Sequence, residues 1–186
     1  MFSTECESCR ALRAALLALL ADRSLESLTI EEVAARAALA EDPARHRCGT
    51  LAACALECYR ESADELYRRC NLILSSGGSW QERHRQMHDE TISFLLEEPG
   101  RARLHLVESE GPLLRESRTA HRERFVALLA SHHEDAGVGG PPPLMFEVLA
   151  GAAFRVLHDD FAAGRLGHTP GRLDHLLELF EPAAAT

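Results

Sequence analysis

The chain contains almost nothing from which to build a sheet. Val and Ile together number nine among 186 residues, and no stretch alternates apolar with polar residues, whereas Leu, Ala, Arg and Glu recur throughout. β-Branched residues favour pleated, half-buried surfaces and straight-chain residues favour helices, so this usage predicts an all-α fold. Apolar residues recur every three or four positions, the period of a helix with one buried face. Leu12, Leu16, Leu19 and Leu20 make one stripe that ends by Asp22. Thr29 followed three residues later by Glu32 is a capping box, and it opens a short helix carrying Ile30, Val33, Ala34 and Ala37.

A long helix follows from about Thr50, its stripe running through Ala52, Leu56, Tyr59, Ala63, Leu66, Cys70 and Ile73 until Ser75-Ser76-Gly77-Gly78 breaks it. Ser79 with Glu82 repeats the capping-box pattern ahead of a helix that ends before Pro99-Gly100. A short helix over about 101–109 and a longer one from Pro112 come next, and EDAGVGGPPP then reads as a loop. Leu144, Met145, Phe146, Val148, Leu149, Ala152, Phe154, Val156 and Leu157 nearly surround the following helix, more than one side of a small domain covers. Gly164 suits its C-cap, and Thr169 with Pro170 opens a last helix striped by Leu173, Leu176, Leu177 and Phe180. Two such apolar helices predict a homodimer in which each copy donates the pair to a four-helix interface.

The net charge is −9, with acidic residues outnumbering basic ones both before and after Cys70. Affinity for a polyanion comes largely from cations that displace its counterions, so any nucleic-acid contact has to come from a local cluster. The basic triplet Arg45, His46 and Arg47 is such a cluster, and Thr29 and Thr50 head helices whose backbone N–H groups suit phosphates. The apolar run over 14–21 is too short for a bilayer, and no leader-like segment opens the chain, which predicts a cytoplasmic protein with no membrane partner. Cys54, Cys58 and Cys70 read as small core residues, while Cys6 and Cys9 form a CxxC that is a weak redox or metal candidate.

The Leu-rich first helix, LTIEEVAARA, a short third helix, the long connecting helix and the close FEVLAGAAFRVLHDDFAAGRLG together resemble the TetR family of bacterial transcriptional regulators from end to end. The resemblance implies a helical N-terminal helix-turn-helix domain of three helices over 1–49, binding double-stranded operator DNA. It further implies a larger domain over 50–186 that takes a small-molecule effector and forms the homodimer. The family's recognition segment usually opens Gly-Val-Ser, and here Ala38 replaces the Gly, Leu39 matches the Val and Ala40 replaces the Ser. Ala44, Arg45 and Cys48 replace a bulky apolar residue, a Tyr and a Phe. Glu41 and Asp42 would face phosphates of like charge, so a TetR-like dimer with weak or lost DNA binding is the alternative to an operator-binding repressor.

By the same resemblance the effector pocket lies among the later helices, where Trp80, His84, Met87, Phe94, His121, Phe125 and Phe146 would line it. The His-Asp pairs at His88-Asp89 and His158-Asp159 keep open a third reading, a helical HD-type metal-dependent phosphohydrolase. No Gly-rich phosphate loop, Gly-x-Ser-x-Gly turn or HExxH motif occurs, and the expectation is a protein that is not an enzyme and carries no cofactor.

Overall fold

Three helices of this chain start where a Thr or Ser side chain accepts from the first turn's N–H groups. A computed structural model describes residues 7–39, 48–135 and 143–178, and every regular element among them is helical. The helices are α1 (Glu7–Leu20), α2 (Ile30–Arg36), α3 (Leu51–Leu74), α4 (Trp80–Leu96), α5 (Pro99–Leu106), α6 (Arg115–Asp135), α7 (Pro143–Ala162) and α8 (Thr169–Glu178). Thr29 accepts from the Glu32 N–H at 3.2 Å while the Glu32 carboxylate accepts from the Thr29 N–H at 2.9 Å. Ser79 and Glu82 make the same reciprocal pair at 3.2 and 2.8 Å, so both capping boxes read from the sequence are formed.

The chain divides into two compact units, Met1–Asp64 with Glu97–Arg118, and Glu65–Leu96 with Thr119–Thr186. In the first, α1 turns Leu12, Leu16 and Leu20 into a core shared with Val33 and Ala34 of α2, Cys54, Cys58 and Tyr59 of α3, and Leu104 of α5. Arg13 of α1 is buried and pairs with Glu61 of α3 at 2.6 Å. Ser62 of α3 and His105 of α5 share a buried hydrogen bond of 2.5 Å, with the Tyr59 ring 4.7 Å from the imidazole.

As expected, α4 ends at Leu96, before Pro99-Gly100; the pair itself then begins α5, two residues ahead of the start expected near Arg101. Pro99 takes the first helical position, where its missing N–H is no loss. Gly100 is buried against α1, and a Cβ there would overlap the Leu17 carbonyl, lying 2.7 Å from its carbon. Glycine is present because two backbones touch, not because a turn needs it.

In the second unit α8 packs on both α4 and α7. The core takes Met87, Phe94 and Leu95 from α4, Leu128 and Leu129 from α6, Phe146, Leu149 and Leu157 from α7, and Leu173 and Leu177 from α8. Gly164 holds φ +66, so α7 ends at a left-handed cap as its residue type predicts. The buried carboxylate of Asp160 accepts from Arg165 at 2.8 Å, from the Thr169 hydroxyl at 3.1 Å, and from Arg172. Burial raises its pKa, but these hydrogen bonds outweigh that and hold it below the ordinary carboxyl value. Cys54, Cys58 and Cys70 are buried free thiols, as their sequence setting predicts.

The Gly100 contact yields a stability test. Gly100→Ala forces a methyl into the Leu17 carbonyl and is expected to cost about 1–3 kcal/mol or more, lowering the melting temperature by roughly 2–4 °C per kcal/mol. Gly171→Ala, in α8 with open space around the added carbon, is expected to leave it unchanged or raise it. Thermal melts followed by circular dichroism compare the two.

Candidate functional site

Two places in the molecule carry the residues singled out from the sequence. The first surrounds α2. Thr29 and Thr50 both act as N-caps, the Thr50 hydroxyl accepting from the Ala53 N–H at 3.1 Å. Glu32 is fastened from the other side by Arg23 at 2.8 Å, which also donates to the Ser27 carbonyl. The turn that leaves α2 is left-handed at Ala38, φ 53, with Leu39 N–H reaching back to the Ala34 carbonyl at 3.1 Å. That is the geometry glycine serves best, and it falls where the family resemblance puts its glycine. Cys48 is fully buried in the same core. Arg45, His46 and Arg47 lie outside the described residues, as do Glu41, Asp42, Ala44 and Cys6.

The second place is a ring cluster in the other unit. Trp80 stands over His84 with centroids 3.5 Å apart, and lies 4.8 Å from His133 and 6.0 Å from Phe146. His133 and Phe146 are themselves 5.5 Å apart. Three of the expected pocket residues, Trp80, His84 and Phe146, are therefore brought together, and Met87 is buried on the same helix. Phe94 is buried under the Arg69 guanidinium, 5.0 Å from its ring centre. His121 and Phe125 form their own pair on α6 at 6.2 Å.

His84 is fully buried and His88 nearly so. The His84 Nδ1 faces the Trp80 carbonyl at 3.2 Å. A carbonyl only accepts, so Nδ1 carries the proton and Nε2 is left as a bare lone pair. Neither His84 Nε2 nor His88 Nδ1 has a hydrogen-bond partner among the described residues. Burial, reinforced by the charges of His88, Arg83 and His133, pushes the His84 pKa down to about 3, against a weaker upward pull from the Trp80 carbonyl. Burial likewise pushes His88 down to about 4, with Asp174 opposing. Both imidazoles are neutral at physiological pH.

The His-Asp dipeptides are arranged differently from one another. His88 is buried while Asp89 is exposed. His158 Nδ1 lies 3.3 Å from Asp159, which also accepts from Arg155 at 3.1 Å. Among the described residues no three His, Cys, Asp or Glu side chains are gathered to hold a metal ion. No helix among them is long and apolar enough to cross a membrane. Sequence reading missed the Ser62–His105 link and the Asp160 clasp. The first joins residues 43 apart and leaves no local pattern; the Gly164 cap is the only signal for the second.

No family model and no curated protein matches the chain. Among solved structures it is similar to a TetR-family transcriptional regulator from Streptomyces coelicolor, at 16% sequence identity, with 96% of this chain and 80% of that one covered and a TM-score of 0.73. The chain therefore has an all-α, TetR-like fold.

Two measurements follow. Ala38→Gly relieves a left-handed alanine worth about 1–2 kcal/mol, less the greater freedom glycine has when unfolded, and is expected to stabilise by about 0.5–1 kcal/mol in urea unfolding. The two histidines predict acid lability. Their pKa values are depressed on folding, so the unfolded chain takes up protons below about pH 6.5 while the native sites do not until about pH 4 to 3. Stability is then lost as pH falls through that window, by up to about 1.4 kcal/mol per pH unit for each histidine. A His84→Gln, His88→Gln double variant is expected to show a shallower fall of the urea midpoint between pH 7 and pH 4.5; an equal fall in both proteins contradicts the assignment.

Proposed function

We propose that this protein is a ligand-responsive transcriptional repressor that binds operator DNA as a homodimer. The observation that carries the reading is the fold, matched over 96% of the chain to a TetR-family regulator. Local features support it. The braced capping box of α2 and the left-handed turn at Ala38 lead directly into the segment that holds Arg45, His46 and Arg47. With Thr29 and Thr50 at helix starts on either side, that basic triplet supplies the cations an otherwise acidic protein needs for phosphate contact.

Dimerisation is supported by α7, where Leu144 and Val148, one turn apart, are 66% and 51% exposed. Apolar side chains that open on a helix with two sides to cover are what a second copy buries. The effector is assigned to the ring cluster of Trp80, His84, Met87 and Phe146, with Phe94, His121 and Phe125 completing the expected lining. In this mechanism the dimer exchanges two shapes. One spaces its recognition helices by about one DNA turn, roughly 34–36 Å, and effector binding favours the other.

Selection of bound fragments from random duplexes at low ionic strength tests the reading, with a palindromic site expected. Replacing both Arg45 and Arg47 with Ala is expected to weaken binding to that site and to reduce the slope of log affinity against log salt by up to about 2, close to one unit per lost phosphate contact. No enriched sequence leaves a TetR-like dimer that has lost DNA binding; a solution mass equal to the single 20.5 kDa chain removes the dimer.

A further inference from the structure

Helix α4 holds two buried imidazoles one turn apart, and each has a ring nitrogen without a partner among the described residues. For His84 the chemistry of the unpartnered nitrogen is fixed. Because the Trp80 carbonyl takes the proton-bearing Nδ1, Nε2 can only accept. A buried acceptor left unmatched costs about as much as a broken hydrogen bond. Protonating it would make a donor, but the site opposes the charge: His84 stays neutral until the pH falls to about 3, with Arg83, His88 and His133 as its charged or titratable neighbours and Asp174 beside His88.

These facts restrict what answers Nε2. A carboxylate has no proton to offer at neutral pH. A cation would enter beside the Arg83 guanidinium, which is held in place by its hydrogen bond to the Leu74 carbonyl at 2.6 Å. A metal ion would accept the lone pair, yet the described residues supply no third ligand. What remains is an uncharged hydrogen-bond donor, either a buried water or the O–H or N–H of a bound molecule. The neighbours are rings: Trp80 lies 3.5 Å from the His84 centroid, and His133 and Phe146 lie 4.8 and 6.0 Å from Trp80. Flat apolar groups complement such rings by edge and offset contacts.

We propose that His84 Nε2 is the hydrogen-bond acceptor for an uncharged aromatic effector bearing an O–H or N–H donor, of the phenol or indole class, held against Trp80 and Phe146. The proposal rests on reading this unit as the effector-binding part of the protein. It adds the chemistry by which that part selects. An aromatic compound lacking the donor fills the same ring surface but leaves Nε2 unmatched, and a site built around a polar partner rejects such an analogue far more strongly than it rejects one differing by a methylene.

Trp80 is the only tryptophan in the chain, so its emission reports on this cluster alone. The full-length protein is titrated with p-cresol and with p-xylene, which replaces the hydroxyl by a methyl of similar size. Saturable change is expected with p-cresol, with p-xylene at least about tenfold weaker. His84→Leu removes the acceptor and is expected to bring the two affinities together. His84→Gln, which keeps an acceptor, is expected to retain part of the preference and covers the case in which the Leu variant loses its helical circular dichroism. Equal affinities in the native protein, an undiminished preference in His84→Leu, or no saturable change with either compound overturns the proposal. So does saturation by Zn²⁺ with p-cresol inert, which reassigns the imidazoles to a metal. The titration contains no DNA: a p-cresol preference without operator binding removes the repressor reading and keeps this one, and operator binding without the preference does the reverse.

Discussion

The first unit is organised by two backbones that touch. Side-chain packing normally keeps helices 8–10 Å apart, but at Gly100 the absence of a Cβ lets α5 come down onto the Leu17 carbonyl of α1. The other contacts of α5 follow from that seat. With Gly100 fixed, Leu104 falls one turn on, inside the core, and His105 comes within reach of Ser62 and Tyr59 of α3. Helix α1 in turn packs against α2. A residue some seventy positions beyond the capping box thus helps hold the frame that carries it.

This arrangement explains why some features were legible in the amino-acid sequence and others were not. Capping boxes are decided within four residues, so Thr29 with Glu32 and Ser79 with Glu82 could be read directly. The left-handed cap at Gly164 is equally local. Pro99-Gly100 correctly marked the end of α4, but the same two residue types also suit a helix start and a backbone contact, and only the location of Leu17 in space shows that second meaning. The ring cluster was half legible. Trp80, His84 and Met87 share a face of one helix and were named together, with Phe146 added by the family resemblance, whereas the approach of His133 depends on how α6 returns to α4.

Ala38 is a more instructive departure. Beside the usual pattern of the family it resembles, it stands where a glycine would be, at the turn that follows α2. The backbone remains left-handed there, and the Leu39 to Ala34 hydrogen bond is made. The tertiary frame imposes the turn, and alanine carries the strain. The left-handed alanine therefore bears on stability.

A similar cost applies to His84. A leucine at that position would fill comparable volume without leaving a polar atom unmatched, and large apolar residues occupy the neighbouring core positions Met87, Phe94 and Leu95. Core packing alone thus gives no reason for an imidazole, and its buried, neutral Nε2 is a cost to the folded chain wherever no donor meets it. Such a cost is tolerable in a fold whose other polar groups are well matched, as Asp160 is by Arg165, Thr169 and Arg172. It also has a direction: any molecule that supplies the donor binds the folded state and not the unfolded one, and so shifts the equilibrium toward the folded chain.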